Sequence, residues 1–258
     1  MNADWFMTVY SVLLGLALGS FLNVCIYRIP LRMSIIYPPS TCPACGEKVR
    51  AYDNIPLVSY ILLRGRCRDC RNPISWRYPA VEALTGLLSL ALFIRYGPSY
   101  QYLISLIFIG TLIIISFIDL DHQIIPDVLS LPGIGAGLAV AFIPGRVSLV
   151  DSLIGATAGG GILLLVAIVF KRLTGKEGMG GGDVKLLAMI GAWMGWRALP
   201  LTILISSLTG AIVGSIFLLT AGKGIRARIP FGPFLSLGAL IYFFFGTELM
   251  QWYLGLLI

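Results

Sequence analysis

The chain has 258 residues, of which 57% are hydrophobic and only 12% charged, and it carries a net charge of +7. A soluble domain carries about 25% charged residues, and the mean hydropathy here is +0.89, which argues against a soluble protein built around one large core. The pI near 9.3 would suit a nucleic-acid partner, but the basic residues fall in a membrane-topology pattern, so no nucleic acid is expected.

The fold class read from this composition is an all-α integral membrane protein. Apolar blocks able to span roughly 30 Å of hydrocarbon at about 1.5 Å per residue recur along the chain, and about eight transmembrane helices are expected. The first covers about 6–27. The preceding stretch, Met1 to Trp5, has no Lys or Arg, so it lacks the basic n-region of a secretory signal peptide. Cys25 reads as a small buried apolar residue of this span.

Residues 28–78 form a polar loop containing Cys42-Pro-Ala-Cys45 and Cys67-Arg-Asp-Cys70. Two C-x-x-C knuckles at this separation match a four-thiolate structural zinc site. The loop has little apolar core, so metal binding would supply much of its folding energy. Disulfides and a redox C-x-x-C are the alternatives. Disulfides rarely persist in the cytoplasm, and redox chemistry needs no second copy. Catalytic zinc usually has histidine ligands, and the chain has one histidine, His122, so the zinc is expected to be structural.

Further spans are predicted at about 79–95, 100–118, 127–143, 152–170, 184–196, 198–220 and 231–256. The sixth segment, 184–196, is short and reads as a half-helix or as a helix partly inside the bundle. Glycine pairs spaced by four (Gly15 and Gly19, Gly155 and Gly159, Gly191 and Gly195, Gly210 and Gly214) would let helix backbones approach closely in lipid. The implied domain plan is a first helix over 1–27, a cytoplasmic four-cysteine loop domain over 28–78 and a polytopic domain over 79–258.

Lys and Arg in alternate connections set the orientation. Nine lie in 28–78, three more are Lys171, Arg172 and Lys176, and another three are Lys223, Arg226 and Arg228. The opposite connections hold Arg95, Arg146 and Arg197. The N-terminus is therefore expected outside and the basic loops in the cytoplasm. This puts Asp119, at the end of the third segment, and Asp183, at the start of the sixth, on the cytoplasmic face.

Those aspartates stand in F-I-D-L-D-H-Q-I-I-P-D, residues 117–127, and G-M-G-G-G-D-V-K, residues 178–185. Acidic residues near a membrane core cost about 2.5–3.5 kcal/mol each at a helix centre, and usually mark function or a pairing partner. Taken singly, Asp183 could be a helix N-cap, and Asp119, Asp121 and Asp127 could be wetted interfacial groups. The glycine run lacks the G-K-[ST] ending of a phosphate-binding loop. Together the features suggest more. Glycines before Asp183, among them Gly180 and Gly182, remove bulk, so a substrate backbone could approach the carboxylate. Two facing carboxylates cannot both ionise easily, and one proton is shared. The charged member can deprotonate a water while the neutral one donates to a scissile carbonyl. One histidine leaves no Ser–His–Asp or H-E-x-x-H set, and no G-x-G-x-x-G Rossmann fingerprint is present.

G-S-F-L-N-V-C-I-Y-R-I-P at 19–30, the paired C-x-x-C loop, the F-I-D-L-D-H-Q-I-I-P-D stretch and G-x-G-D-x-K at 180–185 jointly resemble the bacterial type IV prepilin peptidases, GxGD-type intramembrane aspartyl peptidases. The resemblance spans nearly the whole chain, in the same order and spacing. It implies a bacterial inner-membrane enzyme that cleaves the basic leader of type IV prepilins or type II secretion pseudopilins at the cytoplasmic face. Such an enzyme then N-methylates the new terminus from S-adenosylmethionine. It further implies that Asp119 and Asp183 are catalytic, that Asp121 and Asp127 are not, and that Lys185 has a supporting electrostatic role. The matching R-Y-P-A-V-E-A-L-T-G stretch at 77–86 makes Glu82 a methyl-transfer candidate; the rival reading of Glu82 is an interfacial salt bridge with a loop arginine.

Two other classes fit parts of the pattern. A secondary transporter would use intramembrane carboxylates and a discontinuous helix at the glycine run, but no internal repeat relates the two halves. A zinc-bearing membrane scaffold would tolerate loss of both aspartates.

Overall fold

The computed structural model describes residues 2–176, 180–221 and 229–255, and among them the chain is helical, with two isolated β-bridges and no strand ladder. The basic connection carrying Lys223, Arg226 and Arg228 and the start of the glycine run, Gly178 and Met179, lie outside the described residues. The chain divides into two compact units, Met1–Ile114 and Ile115–Ile258.

The first unit contains α1 (Asn2–Arg28), a short 3-10 turn (Ala51–Asn54), α2 (Val58–Leu62), α3 (Arg77–Tyr96) and most of α4 (Tyr100–His122). Its packing is dominated by α1 against α3. The approach is close because of glycine: a Cβ at Gly19 would lie 2.7 Å from Glu82 Cα, and one at Gly86 would lie 2.9 Å from a Leu16 methyl. Lipid tails are as apolar as leucine, so contact between close-packed backbones holds such a pair together. A buried polar chain reinforces it. Ser89 Oγ donates to the Ser11 carbonyl at 2.6 Å and lies 2.7 Å from the Tyr102 hydroxyl on α4.

The second unit contains the end of α4, then α5 (Asp127–Val140), α6 (Leu149–Thr174), α7 (Gly181–Met194), α8 (Ala198–Ala221) and α9 (Gly232–Gly255). Helix α7 is its core: Leu186, Leu187, Met189 and Ile190 are fully buried, and α5, α6, α8 and α9 all contact it. Gly155 of α6 and Gly191 of α7 face one another so closely that a Cβ on either would collide with the carbonyl of the other. Ser152 then donates to the Ala192 carbonyl at 2.5 Å and the Trp193 indole N–H to the Gly133 carbonyl at 2.8 Å. α6 begins at an N-cap, Ser148, whose hydroxyl accepts the Asp151 N–H, and ends at Gly175 in the left-handed conformation.

The eight expected segments correspond to α1 and α3–α9, with ends within a few residues. Six of these helices (α1, α3, α4, α6, α8 and α9) are long and apolar enough to cross a membrane, so this is a multi-pass membrane protein. The other two, α5 and α7, have 14 residues each, about 21 Å at 1.5 Å per residue, so eight full crossings is an approximate count. The reading of the sixth segment as a short helix inside the bundle fits α7. Gly195, paired with Gly191 by spacing, lies beyond the end of α7 at φ +78° and terminates that helix.

Candidate active site

Asp119 lies one turn from the C-terminal end of α4 and Asp183 is the third residue of α7. Both are buried, at 5% and 9% exposure, whereas Asp121 and Asp127 are exposed. The burial separates aspartates that composition treats alike. The N-cap of α7 is Gly180, so Asp183 does not fill that role itself.

Three chain segments of the second unit converge on these carboxylates. Asp119 Oδ2 accepts the backbone N–H of Gly232, the first residue of α9, at 2.9 Å. Asp119 and Asp183 lie within electrostatic reach of one another. Ile125 packs against two glycines beside the site: a Cβ at Gly182 would lie 2.8 Å from its side chain and one at Gly232 3.3 Å from it. Both glycines are thus needed for close approach around the pair. The open side of the glycine run is at Gly181, where an added Cβ meets nothing.

Lys185, two residues after Asp183, extends to Asp127 at the head of α5, with Nζ 2.6 Å from Oδ1. This half-exposed pair ties α7 to α5 beside the site. Gly232 was not singled out from sequence. The signal available was its setting, Pro230-Phe231-Gly232-Pro233 at the head of the last span, an unusual place for a helix to start without a small-residue requirement.

In the first unit the four Sγ atoms of Cys42, Cys45, Cys67 and Cys70 all lie within 4.8 Å of one another, and all four thiols are free. The Cys42–Cys70 separation is 3.8 Å, matching the edge of about 3.8 Å that a tetrahedral ion with 2.3 Å metal–sulfur bonds requires. This cluster could hold a metal ion. The two knuckles are built alike. Each first cysteine takes its N–H to a carbonyl five residues on (Glu47, Asn72) and accepts from the N–H four residues on (Gly46, Arg71). Bridges Thr41–Lys48 and Arg66–Pro73 close them. The residue four after the first cysteine is left-handed in both, Gly46 at φ +76° and Arg71 at φ +61°.

Electrostatics suit a cation in this cluster. Backbone N–H groups of Cys45 and Ala44 hold the Cys42 thiol down at about 7. Cys45 also receives the Glu47 N–H, yet desolvation and the neighbouring sulfurs push it up to about 12. One thiolate forms readily and the next is resisted, a conflict that a bound cation removes. Around the cluster, Arg68 grips Asp53 through two bonds of 2.8 and 2.6 Å.

The loop, the end of α1 and the start of α3 enclose a cavity of about 530 Å³, whose lining includes Cys42, Cys67, Tyr27, Tyr78, Asn23 and Glu82. Glu82 is buried on α3, and its Oε2 accepts the Leu57 N–H at 2.9 Å. Its other partner is the Ser20 hydroxyl. The expected rival, a salt bridge from Glu82 to a loop arginine, is not formed among the described residues.

A polytopic helical membrane protein with two buried aspartates near the ends of separate helices and a four-thiol loop is the class these features define. The family comparisons agree with it. The type IV leader peptidase family matches residues 106–215, and the bacterial peptidase A24 N-terminal domain matches residues 13–96. A prepilin leader peptidase/N-methyltransferase of Aeromonas hydrophila is 42% identical over 274 residues, covering 97% of this chain and 94% of the relative. Proteins of the same name from Legionella pneumophila (42% identical, 99% and 97% covered) and Pseudomonas aeruginosa (43%, 95% and 92%) are equally similar. The chain belongs to the type IV leader peptidase family. No solved structure gives a significant match.

Proposed function

We propose that this chain is a prepilin leader peptidase and N-methyltransferase of the bacterial inner membrane, with Asp119 and Asp183 as its catalytic pair. The observation that carries the reading is the burial of both aspartates, on different helices and within electrostatic reach, while Asp121 and Asp127 stay exposed. A water between two carboxylates that share one proton can be deprotonated by one of them while the other polarises the scissile carbonyl. The ionised carboxylate takes a proton from the water as its oxygen adds to the carbonyl carbon. The protonated partner donates to the carbonyl oxygen. When the tetrahedral species collapses, the C–N bond breaks and the leaving amine takes up a proton. Gly180 leaves the space beside the Asp183 carboxylate open, where a Cβ would lie 3.7 Å from Oδ2, and Gly182 makes room for the Ile125 side chain. Lys185 acts on the site indirectly, by fixing α7 to Asp127 of α5.

The substrates under this reading are type IV prepilins or type II secretion pseudopilins, whose membrane segments share the bilayer with the enzyme. The basic loops support a cytoplasmic cleavage face and an N-terminus outside. The thiols of Cys42, Cys45, Cys67 and Cys70 would hold structural zinc, since all four positions of a tetrahedral ion would be filled by sulfur. S-adenosylmethionine, when bound, would supply an electrophilic methyl group, which passes to the new N-terminal amine as the methyl–sulfur bond breaks and the nitrogen gives up a proton. Glu82 is the residue proposed to serve that transfer.

Mass spectrometry of a prepilin co-expressed with the enzyme tests both activities together. The expected product has lost its leader and carries one added methyl on the new N-terminus. An intact leader in the presence of folded enzyme would overturn the peptidase reading; a trimmed, unmethylated product would remove the second activity alone.

A further inference from the structure

We infer that the cysteine loop carries a binding site for an anionic phospholipid, with the head-group phosphate between Arg64 and Arg71 and the apolar face of α2 in the lipid. The inference is independent of the peptidase and methyl-transfer readings and adds to them a contact between the loop and the bilayer.

Residues 61–72 hold four arginines, Arg64, Arg66, Arg68 and Arg71, against one aspartate, Asp69. Arg64, Arg68 and Arg71, with Leu62 and Leu63, line a cleft of about 360 Å³. The nearby carboxylates are engaged elsewhere. Asp53 holds Arg68 through bonds of 2.8 and 2.6 Å, and Asp69 faces Arg50 at 3.7 Å. The side chains of Arg64 and Arg71 form no hydrogen bond or ion pair among the described residues. Two guanidinium groups lining one cleft favour an anion there, and phosphate matches their paired N–H donors. Both arginines stand at positive φ, +52° and +61°, where glycine would fit without strain. Such outliers concentrate at functional sites.

Beside the cleft, α2 is turned inside out. Val58, Ile61 and Leu62 share one face at i, i+3 and i+4, and all are exposed, the last two at 72% and 75%, while Ser59 is buried. An apolar face beside basic side chains suits the membrane interface.

Two tethers hold this face near bilayer depth. The chain enters α2 through Leu57, strained at φ +60°, and the Leu57 N–H donates at 2.9 Å to Glu82 in the second turn of α3. Beyond the cleft, the Ile74 N–H donates to the Gly65 carbonyl at 2.7 Å, next to the Arg66–Pro73 bridge. From Ile74 to Arg77, the head of α3, the chain reaches at most about 10 Å. α3 has 20 residues, about 30 Å, the thickness of the hydrocarbon core, so its head stands at the interface. Trp76, exposed at that head, is a residue type that favours head-group level. The arginines thus meet lipid phosphates while the α2 side chains reach toward the acyl chains. A basic leader peptide is repelled by the same arginines.

Full-length protein in detergent can be titrated with phosphatidylglycerol and with phosphatidylcholine, with bound lipid counted by native mass spectrometry. Wild type is compared with the Arg64→Gly/Arg71→Gly variant, whose glycines suit both backbone positions. Each arginine near an anionic surface is worth about fivefold in affinity, so the variant should lose roughly 25-fold for phosphatidylglycerol and less than about threefold for phosphatidylcholine. Ile61→Ser with Leu62→Ser should weaken both lipids alike. Should the arginine variant not fold, hydrogen exchange of wild type decides the matter. Amides of 58–71 should exchange more slowly in nanodiscs containing phosphatidylglycerol than in phosphatidylcholine alone.

Equal wild-type affinity for the two lipids, or unchanged phosphatidylglycerol affinity in the arginine variant, overturns the inference. So does exchange at 58–71 that is the same in both nanodiscs. Exchange that slows only when a prepilin is added overturns it too, and assigns the face to the substrate. Leader cleavage and N-methylation by wild type are read separately, so failure of the lipid site leaves the proposed function standing.

Discussion

The backbone N–H of Gly232 donates to Oδ2 of Asp119 at 2.9 Å. The relationship answers a local difficulty. Asp119 sits in the last turn of α4, where the negative end of the helix dipole disfavours an anion. The N-terminus of α9 brings the opposite partial charge and an N–H without a helical partner. One helix end thus completes the other.

Gly232→Ala is expected to lower cleavage by roughly 100-fold, because a displacement of about 1 Å at a reacting group costs that much. The physical cause is the Cβ that would lie 2.7 Å from Asp119 Oδ2. Initial rates on a purified prepilin, with helicity checked by circular dichroism, measure this. A rate within threefold of wild type, on the same scale of effects, would show that the carboxylate is not held there.

The Lys185–Asp127 pair is half-exposed, so its removal should cost only about 0.2–1 kcal/mol of stability. Lys185→Met and Asp127→Asn should each leave cleavage within about fivefold of wild type, and the double variant should be no worse than either single one. Thermal unfolding and cleavage rates read together would expose a direct catalytic role for Lys185 if its loss alone stopped turnover.

Chelation of a metal from the four-thiol loop, or Cys42→Ser, should unfold the loop and abolish methylation before it slows cleavage. Glu82, the methyl-transfer candidate, lines the same cavity as Cys42 and Cys67, whereas Asp119, Asp183 and Gly232 belong to the other unit. Metal content by elemental analysis should be near one ion per chain. Parallel loss of both activities at the same chelator concentration would contradict the separation.

Arg71 occupies in the second knuckle the left-handed position that Gly46 fills in the first. Arg71→Gly should stabilise the loop or leave it unchanged, with a gain of up to about 1 kcal/mol from relief of the backbone conformation. Metal retention against a competing chelator is the readout, and weaker retention would show that the arginine side chain contributes more than its conformation costs.

Much of this architecture was legible in the chain. Long apolar runs report helices directly, because lipid leaves backbone groups no other partners, and α1, α3, α4, α6, α8 and α9 follow. The cysteine cluster was legible because its four ligands come from two local, repeated knuckles. The choice of Asp119 over Asp121 and Asp127 was not legible physically: the three stand within nine residues, and only the fold buries one of them, so the sequence reading relied on family resemblance. Gly232 lies 113 residues from Asp119, and a backbone N–H leaves no mark in residue type. The short helix α2 and the strained Leu57 went unread within a loop whose polarity announced no elements.

The most direct test of the account is leader cleavage by purified full-length protein carrying Asp119→Ala, Asp183→Ala or Asp121→Ala. Either of the first two should reduce cleavage by at least about 100-fold, as loss of a general acid or base does, while the protein still inserts and binds the substrate. Asp121→Ala should retain much of its activity. Near-wild-type cleavage by either Asp119→Ala or Asp183→Ala would contradict the assignment of the pair.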